Sequence, residues 1–225
     1  MSRPTSSDVA VLTQSPLFNG ASSKEIDAML GCLGAVKRSY AKDEYIYHRG
    51  DNIASMGLVL SGSVRLESGD PWGNVSVLGR VGQGRVFAET YAAVPDEPLM
   101  VDVVAMENTD VLFLNVARVM TTCSSACAHH QAIVRNMLTI FARKNLGLSQ
   151  RVFMVAPKTI RGKLLAYLAF QASYQGSDEF DIPFNRQQLA DYLGVDRSAM
   201  SAELSTMKSE GILDTKRSHF VLLNV

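Results

Sequence analysis

The sequence predicts an α+β chain: a strand-rich N-terminal half, one long helix, and a small, mostly helical C-terminal unit closed by a hairpin. Three observations predict it. Short apolar runs punctuated by Gly and Asp fill the stretch from about Tyr45 to Leu114. Apolar residues then recur every seven positions, at Val134, Phe141, Leu148 and Val155. Beyond Ala156-Pro157 the pattern changes again, to short helical segments with cap and turn residues between them.

In the first part, a helical pattern from about Ser15 to Leu33 carries Leu17, Phe18, Ile26, Met29 and Leu30. The β-like runs follow: Tyr45-Ile46-Tyr47, Gly57 to Leu60, Ser63 to Leu66, Val75 to Leu78, Val101 to Val104 and Asp110 to Leu114. Gly50, Gly62, Gly73, Gly82 and Gly84 sit between runs, where a turn needs positive φ. Many short strands at this spacing predict a β-sandwich or barrel. From about Ala117 to Val155 the heptad, with Met137 and Leu138 between its members, puts an apolar stripe on one helix face, as a coiled-coil seam requires. Lys144, Asn145 and Arg151 interrupt the seam. A helix this long has too little of its own domain to lie on, so it is expected to pair two copies. Ala156-Pro157 ends it, because the residue before proline disfavours the α region. Thr159 is the expected cap of the next helix, which runs to Gly176. The boundaries are therefore 1–116, 117–155 and 156–225.

Composition narrows the function. Hydrophobic residues make up 47% and charged residues 20%, ordinary for a folded chain, and Lys plus Arg balances Asp plus Glu at 22 each. No charge excess points to nucleic acid, so any such partner needs a local patch. No apolar run reaches the roughly 18 residues of a membrane span. Met1 to Asp8 is polar, with no secretory signal expected, and three cysteines (Cys32, Cys123, Cys127) make no disulfide framework, so a cytoplasmic setting is expected. No Ser/His/Asp grouping, phosphate loop or metalloprotease motif is present, so an enzyme is not expected.

The most informative segment runs from Asn185 to Leu204. Ala190 is small where two helices touch, Gly194 allows a tight turn, and Leu189, Leu193, Val195, Met200 and Leu204 fill the space between them. Asp196 is the expected cap of the second helix, and Arg197, Ser198 and Ser201 follow on its polar face. In a helix-turn-helix those positions enter the major groove, and Arg is the usual reader of guanine O6 and N7. Ile212-Leu213, a turn with Lys216-Arg217, and Phe220 to Leu223 add a hairpin wing with a basic tip.

With these parts in order, the chain resembles the Crp/Fnr superfamily of dimeric bacterial regulators along nearly its full length. Tyr47-His48-Arg49-Gly50-Asp51 and Leu60-Ser61-Gly62-Ser63-Val64 fall at the turns of that family's β-roll. Gly84-Arg85-Val86-Phe87-Ala88-Glu89 is similar to its Gly-x-x-Phe-Gly-Glu cassette. The resemblance implies a jelly-roll-like double-stranded β-roll, a long dimerisation helix and a winged helix-turn-helix. It implies a homodimer on a palindromic promoter site, with RNA polymerase as a further partner, and a small effector in the β-roll acting through the long helix. Carried over, Arg197, Ser198 and Ser201 read bases, while Arg186, Gln187 and the wing tip Lys216-Arg217 hold phosphates. Ala202 departs from the pattern, since well-known members place an Arg there.

The sensor departs further. Cyclic-nucleotide members hold the cyclic phosphate with an Arg-Ser pair about ten residues after the cassette Glu; here Leu99 and Met100 occupy those positions, beside Asp96, Glu97 and Asp102. The hydroxyl pair of the long helix falls on Leu146 and Gly147. An effector pocket is expected from Gly84, Phe87, Ala88, Glu89, Tyr91, Leu99, Met100 and Leu146, apolar and unsuited to cAMP. The alternative is an ordinary nucleotide site with a shifted arginine, Arg80 or Arg85. Iron–sulfur members carry an N-terminal cysteine cluster, where this chain has only Cys32, and His48 reads as a turn histidine rather than a haem ligand. Cys123, Cys127 and His130 share one helix face, which leaves open a redox- or metal-responsive regulator of the same fold, against plain packing by the cysteines.

Overall fold

The computed structural model describes residues 4–69, 75–94, 96–120 and 128–223. The chain divides into two compact units, Met1–Ala142 and Arg143–Val225. The first begins with helix α1 (Ser6–Gln14), a 3₁₀ turn (Pro16–Phe18) and α2 (Ser23–Cys32). Then come β1 (Val36–Tyr40), β2 (Tyr45–Tyr47), β3 (Ser55–Ser61), β4 (Ser63–Gly69), β5 (Val75–Gly82) and β6 (Val86–Phe87). Helix α3 (Glu89–Ala93), β7 (Asp102–Ala105), β8 (Thr109–Asn115), α4 (Val116–Met120) and α5 (Ala128–Val155) follow, with α5 running on into the second unit.

The strands form two four-stranded sheets, β1-β8-β3-β6 and β2-β7-β4-β5, antiparallel throughout. Side chains alternate across a strand, so β3 and β8 serve two cores at once. Met56, Leu58 and Leu60, with Leu112 and Leu114, face a cluster shared with α1, α2 and α5. Val59, Val111 and Phe113 face the other sheet, packing with Ile46, Val64, Val103 and Phe87. That double duty is why these runs are apolar at every position. Two glycines are required by the approach of neighbours. A Cβ on Gly57 would lie 2.1 Å from the Phe87 ring, and one on Gly62 (φ +77) 2.5 Å from Thr109 Oγ1.

The helical stretch expected from Ser15 to Leu33 is broken. Pro16 opens a 3₁₀ turn, Gly20 takes φ +84, and a Ser22–Glu25 capping box starts α2 afresh. Helix α1 is held by charge. Lys37 Nζ lies 2.9 Å from Asp8 and 3.0 Å from Asp110. Burial raises the Asp8 pKa, but the Thr5 amide, Lys37 and the Thr5 hydroxyl outweigh it, and the carboxyl ends below its usual value. A depressed carboxylate contributes stability above its unfolded pKa of about 3.9, and that contribution is lost as pH falls through the folded value. Asp8→Asn is therefore expected to cost roughly 1–3 kcal/mol at pH 7. The difference from wild type should shrink below about pH 4. Urea midpoints at pH 7 and pH 3 check this; a constant difference would contradict it.

The second unit contains the rest of α5, α6 (Ile160–Gln175), β9 (Glu179–Asp181), α7 (Arg186–Leu193), α8 (Arg197–Ser209), β10 (Leu213–Lys216) and β11 (His219–Leu222). Its sheet runs β10-β11-β9, and β9 is a strand that the sequence pattern did not indicate. Leu164, Tyr167 and Leu168 of α6 pack with Leu189, Ala190 and Leu193 of α7, Met200, Leu204 and Met207 of α8, and Phe180 and Phe220 of the sheet. Thr159 caps α6, accepting from the Gly162 amide at 3.0 Å.

The heptad of α5 is divided in its use. Met137 is buried and Phe141 half-buried against the core of the first unit, whereas Leu138 is exposed. In the second unit Met154 turns into the core, while Leu148 (65% exposed), Val152 and Phe153 face outward. Phe141, expected in the seam, is thus partly a core residue.

Candidate nucleic-acid interface

The two crossing helices are set by local chemistry. Helix α7 starts in a capping box: the Asn185 amide donates to Gln188 Oε1 and the Gln188 amide to Asn185 Oδ1, both at 2.9 Å. It ends at Gly194, whose φ of +62 makes the tight turn. Asp196 then caps α8, accepting from the Ala199 amide at 2.8 Å. The Ser198 hydroxyl and then that amide hold the Asp196 carboxyl below its usual pKa.

The second helix presents its first turn outward. Arg197 and Ser198 are exposed, and the Arg197 guanidinium has no hydrogen-bond or ion-pair partner among the described residues. Lys216 and Arg217 are exposed at the tip of the β10–β11 hairpin, in register Lys216↔His219. Arg217 sits at φ +57, a conformation that costs a side-chain-bearing residue about 1–2 kcal/mol. A groove of about 750 Å³ brings Gln187, Arg197 and Arg217 together at the start of α7. Gln187 Nε2 is occupied, donating to Asp191 at 2.8 Å.

Arg186 lines the same groove, and its side chain is engaged within the unit. Its Nη2 donates to Thr215 Oγ1 at 2.8 Å, its guanidinium stacks 5.0 Å over the Phe220 ring, and Nη1 is buried without a hydrogen-bond partner. Burial lowers its pKa. It braces α7 to the wing, because the neighbouring β-sheet offers an aromatic face and a hydroxyl within its reach.

Two basic residues of α6 were not singled out from the sequence. Arg161 pairs with Glu203 of α8 and, at 2.8 Å, with Glu210, and these carboxylates (Glu210 the larger cause) raise its pKa. Lys163 Nζ donates to the Leu193 carbonyl at 3.1 Å, at the C-terminal end of α7 where a cation is favoured. Their partners lie 30 or more positions away, so no local motif marks them.

The expected effector residues have different surroundings. Phe87 and Leu99 are buried in two different clusters of the first unit. Leu99 is pinned by backbone bonds to Gly50 and Asp51 and is buried, whereas Met100 is 66% exposed. Ala88 takes φ +58 where the related cassette has Gly, and Glu89 and Ala92 begin and bury α3. Tyr91 is half-buried and packs on the core beside Ala88. Leu146 is exposed and belongs to the second unit. Gly84 lies instead in a groove of about 370 Å³ with Arg85, Gln83 and Gln14. Arg80 is bound to Ser63 at 3.0 Å. Cys123 and Cys127 lie outside the described residues, as does the side chain of His130. Among the described residues no cluster of three His, Cys, Asp or Glu side chains is placed to hold a metal. No helix among them is long and apolar enough to cross a membrane.

Comparison with known proteins bears on the same two units. Residues 37–125 match the Cyclic nucleotide-binding domain family, and residues 162–225 match the Crp-like helix-turn-helix domain. The Cyclic AMP receptor protein of Thermus thermophilus is 24% identical over 199 residues, 88% of each chain. The crystal structure of the Thermus thermophilus Catabolite Activator Protein shares the fold, with TM-score 0.51 and 24% identity over 93% of this chain and 94% of that one. So does CLP, the c-di-GMP responsive global regulator of Xanthomonas campestris, with TM-score 0.56 and 17% identity over 91% of this chain and 100% of that one.

A β-sheet domain of the first kind joined to a helix-turn-helix of the second defines a transcription regulator with an effector-binding and a DNA-binding part. The chain belongs to the Crp/Fnr superfamily of such regulators.

Proposed function

We propose that this regulator binds a palindromic promoter site as a homodimer in the cytoplasm and answers to a small effector other than cAMP. RNA polymerase is its further partner at the promoter. The observation that carries the reading is the groove where Arg197 of the capped recognition helix and Arg217 of the wing converge at the start of α7. The division of labour follows. Arg197, Ser198 and Ser201 face bases, while Gln187, Lys216 and Arg217 hold the backbone. Dimerisation runs through α5, whose exposed Leu138, Leu148 and Val152 need a cover. The boundaries 1–116, 117–155 and 156–225 divide the chain by role. Against cAMP stands the absence of a cation at Leu99 and Met100: one is packed in the core, and neither can offset the desolvation of a cyclic phosphate. The fold does not select the effector, since relatives named for cAMP and for c-di-GMP share it.

Salt-dependent duplex binding tests the reading. The logarithm of affinity is expected to fall linearly with the logarithm of salt concentration. Arg217→Gly relieves the positive φ, so its thermal midpoint should hold or rise. Affinity should nevertheless drop alike on all sequences, and the salt slope should flatten by about one phosphate contact per protomer. A second unit that serves only protein contacts would give no such slope in wild type.

A further inference from the structure

We infer that α8, apart from Arg197, presents only hydrogen-bond acceptors and methyl groups to the bases, so that in each half-site it reads a single guanine, through O6 and N7 under Arg197, and thymine methyls or exocyclic amino groups under the rest. This rests on the DNA-binding reading above and specifies what that helix can select. At 100° per residue, Met200, Leu204 and Met207 define the buried side of α8, and Ser198, Ala202, Ser205 and Ser209 lie opposite. Each hydroxyl along the helix has its proton committed. Ser198 donates to the Asp196 carboxylate, Ser201 to the Arg197 carbonyl at 2.9 Å and Ser205 to the Ser201 carbonyl at 3.0 Å. Thr206 donates to the Ala202 carbonyl at 3.2 Å and Ser209 to the Thr206 carbonyl at 2.8 Å. Their lone pairs stay available, whereas donating to a base would require each hydroxyl to give up its intramolecular bond, worth about 1 kcal/mol. The other long polar side chains are engaged too, Glu203 with Arg161 and Lys208 with Asp214. Ala199 and Ala202 add exposed methyls.

The edges of the bases sort themselves against such a surface. Guanine shows two acceptors in the major groove, O6 and N7, which would meet serine lone pairs. Adenine N6 and cytosine N4 are donors and match those lone pairs, and the thymine C5 methyl packs on an alanine methyl. Only the free guanidinium of Arg197 suits guanine. An arginine at position 202, usual in better-known relatives, would add a second guanine; alanine replaces that choice with a methyl contact.

The test uses the full chain and a pool of duplexes randomised in sequence, selected at low salt. The recovered site is remade with deoxyuridine for each thymine and with 7-deazaguanine for each guanine. One guanine per half-site should be sensitive, and its effect should vanish in Arg197→Ala. Removing one thymine methyl should cost roughly fourfold, the worth of one buried methyl group. That loss should vanish in Ala202→Gly, whose fold circular dichroism verifies, and Ala202→Arg should recruit a further guanine. Two or more sensitive guanines lost with substitutions in α8, or indifference to every deoxyuridine, would overturn the inference while leaving the DNA-binding reading intact. A pool that yields no preferred sequence would overturn that reading itself.

Discussion

Arg197→Ala is expected to lower affinity for the selected site roughly tenfold to a hundredfold per half-site, since a bidentate base contact is worth about 1–3 kcal/mol. Binding to unrelated DNA should change far less, so the ratio of specific to non-specific affinity collapses. Stability should not move. The guanidinium is exposed, with no partner among the described residues, and the α8 cap is made by Asp196 and the Ala199 amide rather than by the Arg197 side chain. Gel-shift or anisotropy titrations on the preferred site and on a scrambled duplex read the ratio directly. A mutant that retained its full sequence preference would remove α8 from the role of base reader.

Leu148→Asp is expected to split the proposed homodimer. Leu148 is 65% exposed in α5 and belongs to neither core, so a charge there costs the single chain little. In a paired helix the same carboxylate would be buried at the seam without a partner. Sedimentation should show half the wild-type mass, with an unchanged circular dichroism spectrum. DNA affinity should fall roughly 10²–10⁴-fold, because the second half-site is no longer engaged within the same molecule. Phe141→Asp would confuse the result, since Phe141 also packs on the core of the first unit. A Leu148→Asp chain that stayed dimeric would place the dimer contact elsewhere.

What was legible in the sequence was local. Gly194 and Asp196 each do what their backbone chemistry demands within a few positions, so the turn and the start of the second helix could be read residue by residue. The glycine-punctuated strands were readable for the same reason. Features set by distant partners were not. Nothing in the run around Arg186 announces Thr215 and Phe220, which turn that side chain inward. Nothing at Phe141 distinguishes a seam residue from one lying on a β-sheet core. Strand β9 has only three residues, and its pairing with β11 spans some forty positions of chain. The sensor is the hardest part. Leu99 and Met100 could be read as lacking a phosphate partner, but not that one would be buried and the other exposed, since that depends on the bonds from Gly50 and Asp51.

Cleavage of DNA from the recognition helix tests the central claim most directly. Ser205 is exposed on the outer face of α8, and Ser205→Cys gives a point of attachment there for a chelated iron that cuts nearby DNA; the wild-type chain, treated identically, is the blank for its own cysteines. The expected result is two clusters of cuts on the preferred duplex, absent from the blank, centred about one helical turn apart and facing the major groove. Cuts scattered evenly along the duplex, or none beyond the blank, would contradict the placement of α8 in the groove.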